Sequence, residues 1–253
     1  MSYIPGQKPK PIRKASPPKG KFEETYLRYL RKDNRTYDDA EVRELPDTFF
    51  YNLHRQEWEI RAKASQRLLK YISRPEEPAN QFRLLEIGCG NGWLSARVAD
   101  MPQFNVVGLD VNLFELEQAA RVFPFTNLDF VYGDLFSDIF PLESFDVIVL
   151  FDTIQFFPNL QQLINRCRQY LKKGGELHIL ESPIFQEKDL EQAAKHTLDY
   201  YQNLGIPEMV EFHHHHGRKD LSPFDYQFLY RPGGLGKLLG KRDSEYPWVK
   251  IVN

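Results

Sequence analysis

From Phe82 onward, short apolar runs alternate with amphipathic ones, and this alternation restricts the chain to one broad architecture. Phe82–Ile87, Asn105–Leu109, Leu128–Val131, Asp146–Phe151 and Glu176–Leu180 are short, apolar and often β-branched, which predicts strands buried on both faces. Between them, Leu113–Phe123 and Leu160–Leu171 read as helices. Leu160, Leu163, Ile164, Cys167 and Leu171 share one face of the second. Asn112 followed by Glu115 reads as a capping box at the start of the first. Strand, helix, strand in repetition predicts a mostly parallel, doubly wound α/β sheet with right-handed crossovers. Ligands of such sheets bind beyond the carboxyl ends of the strands. Later, a helix near Leu190–Tyr201 leads to a histidine run. Asp225–Tyr230 and Trp248–Val252 then predict a closing antiparallel hairpin around Pro232-Gly-Gly-Leu-Gly236.

The part ahead of the sheet has a different texture. Residues 22–80 read as a helical cap, clearest in Glu57–Ile72, where Ile60, Ala64, Leu68 and Ile72 recur every four residues. The prolines of Arg74-Pro-Glu-Glu-Pro-Ala-Asn80 break that helix and place the start of the main domain, 81–253, near residue 81. Residues 1–21 hold six basic residues, five prolines and no acid, a composition that predicts a flexible arm. With 33 basic and 35 acidic residues, the net charge of −2 gives no chain-wide field for nucleic acid or an anionic membrane. Two cysteines, Cys89 and Cys167, are too few for a disulfide framework and lie in no metal-binding spacing. No run of about 18 apolar residues occurs. The expectation is a soluble cytoplasmic protein with neither a membrane nor DNA as partner.

The chemistry concentrates where the first strand runs into Gly88-Cys-Gly-Asn-Gly92, with a helix starting near Trp93. Glycines there permit a tight turn and close approach of a ligand to the backbone, and the new helix offers unpaired N–H groups. Asp110 ends the next strand, placing a carboxylate where the hydroxyls of a ribose would bind. The GxGxG spacing, with bulky Trp93 next, departs from the GxGxxG of dinucleotide sites.

At this point the sequence resembles the class I S-adenosylmethionine-dependent methyltransferases, whose first motif is similar to Leu85-Glu-Ile-Gly-Cys-Gly-Asn-Gly92. The resemblance runs over roughly residues 82–182. It continues through Gly108-Leu-Asp110, Gly133-Asp-Leu135, Phe145-Asp-Val-Ile148 and Leu171-Lys-Lys-Gly-Gly175. It implies a Rossmann-like sheet, S-adenosylmethionine as methyl donor and S-adenosylhomocysteine as product. By the same resemblance Glu86, Gly88, Cys89, Gly90 and Gly92 hold the methionine moiety. Asp110 and Val111 meet the ribose, Asp134 and Leu135 the adenine, and Leu150 and Phe151 the sulfonium end. Asp134 can alternatively serve as a cap after Gly133. Asp152-Thr-Ile-Gln-Phe-Phe-Pro158 lacks the Asn/Asp-Pro-Pro-aromatic motif of amino-directed DNA methyltransferases, and no Pro-Cys nucleophile occurs, so a small-molecule acceptor (metabolite, sugar or lipid-like) is expected. A non-catalytic cofactor-binding or assembly protein, a nicotinamide dehydrogenase and an RNA or protein methyltransferase remain as alternatives.

Aligning donor and acceptor can contribute ~7–11 kcal/mol, and a base removing an acceptor proton adds ~10²–10⁴ in rate. The candidates for that base are His213, His214, His215 and His216, with a solvated loop as the plainer reading. Adjacent residues of an extended segment point to opposite sides, which disfavours a shared metal. His54 and His178 read as ordinary packing residues. Tyr51, Trp58 and Arg61 read as packing or surface residues that could also reach the acceptor or the cofactor carboxylate.

Overall fold

The alternating runs build one large sheet. A computed structural model of the chain describes residues 9–16, 20–73, 81–233 and 243–253. In chain order its elements are β1 (Arg13–Lys14), α1 (Phe22–Lys32), α2 (Asp39–Glu44), α3 (Arg55–Ile72), β2 (Phe82–Ile87), α4 (Trp93–Ala99), β3 (Phe104–Asp110), α5 (Leu113–Val122) and β4 (Leu128–Tyr132). There follow β5 (Phe145–Phe151), α6 (Leu160–Tyr170), β6 (Leu171–Leu180), β7 (Ile184–Phe185), α7 (Leu190–Leu204), β8 (His216–Gly217), β9 (Tyr226–Tyr230) and β10 (Trp248–Val252). The sheet order is β1-β4-β3-β2-β5-β6-β10-β9. Strands β1 to β6 pair in parallel, whereas β10 runs antiparallel to both β6 and β9. The expected Rossmann-like sheet with its closing hairpin is what the chain forms. Since β3 and β4 lie on one side of β2 and β5 on the other, the chain changes direction at β2, and a crevice opens there beyond the carboxyl ends.

Continuous apolar runs follow from burial on both faces. Leu84, Val106, Val147 and Val149 join one core with α3, α4 and α5. Their neighbours Leu85, Val107, Ile148 and Leu150 join a second core with Leu163, Ile164 and Cys167 of α6. Of the α3 stripe, Ala64, Leu68 and Ile72 are buried, while Ile60 stands at a cavity wall. Asn159 caps α6 through Gln162 N.

Part of the arm read as free is a sheet edge. Arg13–Lys14 pair with Val131 and Tyr132 of β4, and Ala15 N donates to the Tyr132 carbonyl at 2.8 Å. Lys10 Nζ donates to the carbonyls of Thr126 (2.6 Å) and Leu128 (3.1 Å). A segment too polar to form a core can still extend a sheet, because the main chain supplies the bonds. The expected linker at 74–80 and residues 234–236 of the glycine-rich connection lie outside the described residues. Among the described residues no helix is long and apolar enough to cross a membrane.

The edge strand leaves no room at Gly133, where an added Cβ would sit 2.2 Å from the Ala15 carbonyl oxygen. Gly133→Ala is therefore expected to release residues 10–16. Amide exchange at Ala15 should rise while β2, β3 and β5 stay protected; unchanged protection at Ala15 would contradict the contact.

Candidate functional site

The loop after β2 turns through left-handed conformations, with φ of +74° at Gly88 and +50° at Gly90. At Gly88 a Cβ would lie 2.2 Å from Thr153 Oγ1, so glycine is required both by the turn and by the segment after β5. Asp110, at the end of β3, braces the loop: its Oδ2 accepts from Gly90 N at 2.7 Å and its Oδ1 from Asn112 N at 2.8 Å.

Three acids gather around this turn. Glu86 is buried, and Ser95 Oγ donates to it at 2.5 Å, yet burial pushes its pKa up to about 8. Burial, and then the charge of Asp110, do the same to Glu115, also at about 8. Asp110 is raised by burial, a shift that its backbone donors oppose. Glu115 is not the capping-box partner expected of it. The Asn112 N–H is taken by Asp110, Asn112 Nδ2 donates to Glu115 Oε2 at 2.8 Å, and the carboxyl stands at a cavity wall. Asn112 itself does cap α5, accepting from Glu115 N.

That cavity holds about 670 Å³ and opens at the crevice. Its floor is Glu86, the turn Gly88–Asn91 and Phe151. Tyr26 and Tyr29 of α1 and Trp58, Ile60 and Arg61 of α3 form one wall. Tyr26 and Tyr29 pack by their rings against Phe156 and Tyr201, which line the cavity with Thr197, Tyr200, His213, Glu181 and Tyr246. A ladder of charge runs through it. Arg35 donates to Asp33 (2.5 Å) and to both oxygens of Glu57 (2.9 and 2.8 Å). Glu57 pairs with Arg61 at 2.6 Å, and Arg61 donates to Asp152. Burial opposes ionisation of Glu57, but Arg61 and Arg35 overcome it and hold its pKa at about 2. Burial outweighs Arg61 at Asp152, whose pKa is raised.

Of the residues expected from the sequence, Glu86, Gly88, Cys89, Gly90, Phe151, Trp58, Arg61 and His213 line the cavity. Gly92 stands at the N-cap of α4. Asp110 braces the turn from behind, with Val111 between it and the α5 cap. Leu150 does not line the cavity: successive strand residues point to opposite faces, and its side chain is in the second core. Leu135 is in that core too, and its carbonyl accepts from Arg166 Nε at 3.1 Å. Asp134 Oδ1 accepts from Phe136 N at 3.0 Å within a turn, and no helix follows it for the alternative reading as a helix cap.

The histidine run separates into different surroundings. His213 Nδ1 lies 3.0 Å from Tyr201 Oη, and burial pushes its pKa down to about 4. His214, His215 and His216 do not line the cavity. His214 N donates to the Gln155 carbonyl, His215 Nε2 meets Thr197 Oγ1 at 2.9 Å, and His216 is buried with Nε2 2.9 Å from the Ile154 carbonyl. His54 Nε2 contacts the Asp33 carbonyl at 2.6 Å, His178 accepts from Trp248 Nε1 at 3.2 Å, and Tyr51 is exposed. Sequence reasoning missed the tyrosines of α1 and α7, Asp152 and Glu181. The spacing Tyr26, Tyr29, Leu30 is a helical stripe that could have marked the first pair.

The raised pKa values have a signed consequence. A carboxyl with a folded pKa of about 8 and an ordinary value of 4.5 contributes stability present below pH 4.5 and lost as pH rises toward 8. Glu115→Gln should therefore raise the melting temperature of the ligand-free protein at pH 8 and leave it unchanged at pH 4. An equal effect at both values, read by differential scanning calorimetry, would refute the shift.

Comparison with known proteins bears on what this site binds. A family model described as a methyltransferase domain matches residues 84–175. The chain is 26% identical over 254 aligned positions to a sterol 24-C-methyltransferase of Saccharomyces cerevisiae, covering 89% of this chain and 64% of that one. It is 29% identical over 137 positions to the 27-O-demethylrifamycin SV methyltransferase of Amycolatopsis mediterranei, covering 47% and 50%. The chain thus spans less than two thirds of the length of these relatives. Among solved structures, the CurJ carbon methyltransferase matches with a TM-score of 0.59 at 17% identity, over 90% of this chain and 66% of the other. The geranyl diphosphate C-methyltransferase of Streptomyces coelicolor, solved with S-adenosyl-L-homocysteine, matches with a TM-score of 0.58 at 12% identity over 93% and 98%.

Proposed function

We propose that this chain, which carries a class I S-adenosylmethionine-dependent methyltransferase domain, transfers the methyl group of that cofactor to a small, largely apolar metabolite. The observation carrying this reading is the cavity that joins the glycine turn and Phe151 to walls of tyrosine and tryptophan. The residues suit the cofactor. The turn lets backbone approach a ligand closely, and the acids around it lack the positive charge that the cofactor's ammonium would bring. S-adenosylmethionine, when bound, supplies a methyl group already activated on a sulfonium. In this reading Glu86 and the turn Gly88–Gly92 hold the methionine end, and Asp110 and Val111 the ribose. Asp134 and Leu135 border the adenine, with the Leu135 backbone rather than its side chain in contact. Residues 22–80 act as the cap over the domain 81–253, and residues 1–21 as its arm.

The apolar acceptor is supported by the aromatic walls and by relatives named for a sterol and a rifamycin precursor. With a pKa of about 4, His213 is neutral at physiological pH and a weak base. Its role, with Tyr201, is to orient the acceptor by hydrogen bonding.

S-adenosylmethionine should raise the melting temperature of the protein, and Asp110→Asn should weaken its binding by about tenfold or more, since a carboxylate–hydroxyl bond is worth ~1.5–3 kcal/mol. Calorimetric titration of both proteins checks this. Equal affinities would remove Asp110 from the site, and labelled cofactor that transfers nothing to a metabolite extract would leave a binding protein without turnover.

A further inference from the structure

Beside the two cores of the sheet, the described residues form a third apolar cluster, built from two segments far apart in the chain. Tyr201 near the end of α7, with Ile206 and Met209 after it, packs with Phe22, Tyr26 and Tyr29 of α1. Helices α2 and α3 belong elsewhere, with Val42, Trp58, Ala64 and Leu68 in a core of the sheet. Polar contacts repeat the division. Tyr200 Oη donates to Asp33 Oδ2, at the end of α1, at 2.7 Å, and Arg28 of α1 pairs with Glu208 in the 3₁₀ turns Pro207–Phe212. Segments that share a cluster of their own open and close as one cooperative unit.

This unit rests lightly on the remainder of the fold. Of the fifteen residues of α7, Tyr201 alone is buried. The excursion carrying α7 leaves and returns at one place, where Ile184 and Phe185 of β7 pair with His216 and Gly217 of β8 and Lys219 N donates to Glu187 Oε1 at 2.7 Å. Phe156, after β5, meets the rings of Phe22 and Tyr26, and Asp33 is where the unit touches Arg35 and the ladder. On the far side, α1 is tied to the sheet through Glu23, whose Oε1 accepts from Leu113 N and Oε2 from Tyr132 Oη, each at 2.8 Å. Leu113 opens α5, so the carboxylate also meets the positive end of that helix dipole. Tyr132 is the register partner of Asp110, which places the tie beside the proposed ribose contacts. Tyr26, Tyr29, Tyr200 and Tyr201 of the same unit line the cavity.

We propose that α1 and residues 190–212 form a single lid over the cavity, latched on its cofactor side by Glu23. The inference rests on the methyltransferase reading above, and it divides the cap of that reading into a seated part, α2 and α3, and a moving part. Glu23 is a positioning residue that acts on the bound ligand through α1. Closure brings the tyrosines over donor and acceptor together and keeps water from the activated methyl group.

The test is amide hydrogen exchange of the full chain, with and without S-adenosylhomocysteine, alongside the dissociation rate of that ligand. In the wild-type protein the ligand should slow exchange in α1 and α7 together, and in α3 much less. Glu23→Met keeps the reach of the side chain and removes both acceptor oxygens. In the ligand-free protein it should speed exchange in α1 and α7 by similar factors and leave α3 as it is. S-adenosylhomocysteine should then leave about tenfold faster, the equivalent of one charge-assisted hydrogen bond. The proposal is overturned if α1 loosens while α7 keeps its protection, if neither loosens, if α3 loosens equally, if bound ligand slows neither helix, or if the dissociation rate is unchanged. Tyr132→Phe removes one partner of Glu23 from outside the lid and gives the same test, with a smaller effect, where Glu23→Met does not fold. Wild-type protein that binds no S-adenosylhomocysteine would instead defeat the methyltransferase reading, and exchange in the ligand-free variants would still judge the lid.

Discussion

Two largely enclosed guanidinium groups tie the N-terminal helices to the end of β5. Arg61, on α3, reaches Asp152 beyond β5 and Glu57 one turn back on its own helix, and Arg35 closes the series against Glu57 and Asp33. Desolvating so many charges is costly, and ion pairs of this kind seldom stabilise a fold relative to apolar packing. What the ladder supplies is position: it joins α3, already seated in the core by Ala64, Leu68 and Ile72, to the end of β5. Arg61 also lies over the Trp58 ring, 4.9 Å from its centroid, and Trp58 Nε1 donates to Tyr37 at 3.0 Å. Helix α3 is thereby fastened to the end of β5 by directional contacts.

The ligand-free site carries strain and uncompensated acidity together. Asp152 and Glu181, at the carboxyl ends of neighbouring strands, hold left-handed φ values of +52° and +50°. Such conformations persist where surrounding structure over-determines them. Glu86, Glu115 and Glu181 are pushed up to about 8, 8 and 7 by burial. Above those pKa values the three carboxylates lower stability, a cost that a ligand carrying positive charge would offset.

The sheet was legible because its determinants are local and periodic. Short buried strands between amphipathic helices leave few alternatives, and Asn112 announced the start of α5 by the chemistry of an N-cap. Gly88 and Gly90 were legible for the same reason, since a backbone turn follows from glycine spacing, whereas the bonds by which Asp110 braces that turn came only with the fold. The acceptor side was not. Whether Leu150 or Phe151 meets the cavity depends on strand phase, and whether Glu115 caps a helix or faces a ligand depends on Asp110 having already taken the Asn112 N–H. The histidine run shows the limit most clearly: four identical residues divide into a cavity wall, a loop, a contact with α7 and a buried carbonyl partner. The edge strand β1 escaped notice because its pairing with β4 is main-chain and its side-chain bonds, from Lys10 and Arg13, reach partners more than 100 residues away, which composition does not encode.

This division follows from how the two halves of the site are made. In the proposed reading the cofactor half is built from backbone conformation and one or two carboxylates, so a short motif specifies it, within the residues 84–175 that the family model matches. The acceptor half in that reading is assembled from α1, α3, α7 and the segment after β5, elements far apart in the chain and joined only by tertiary contacts such as Phe22 with Phe156 and Phe212. No single stretch carries its signature, and each side chain can change without disturbing the glycine turn. In that reading, selection among acceptors can vary while the glycine turn stays constant.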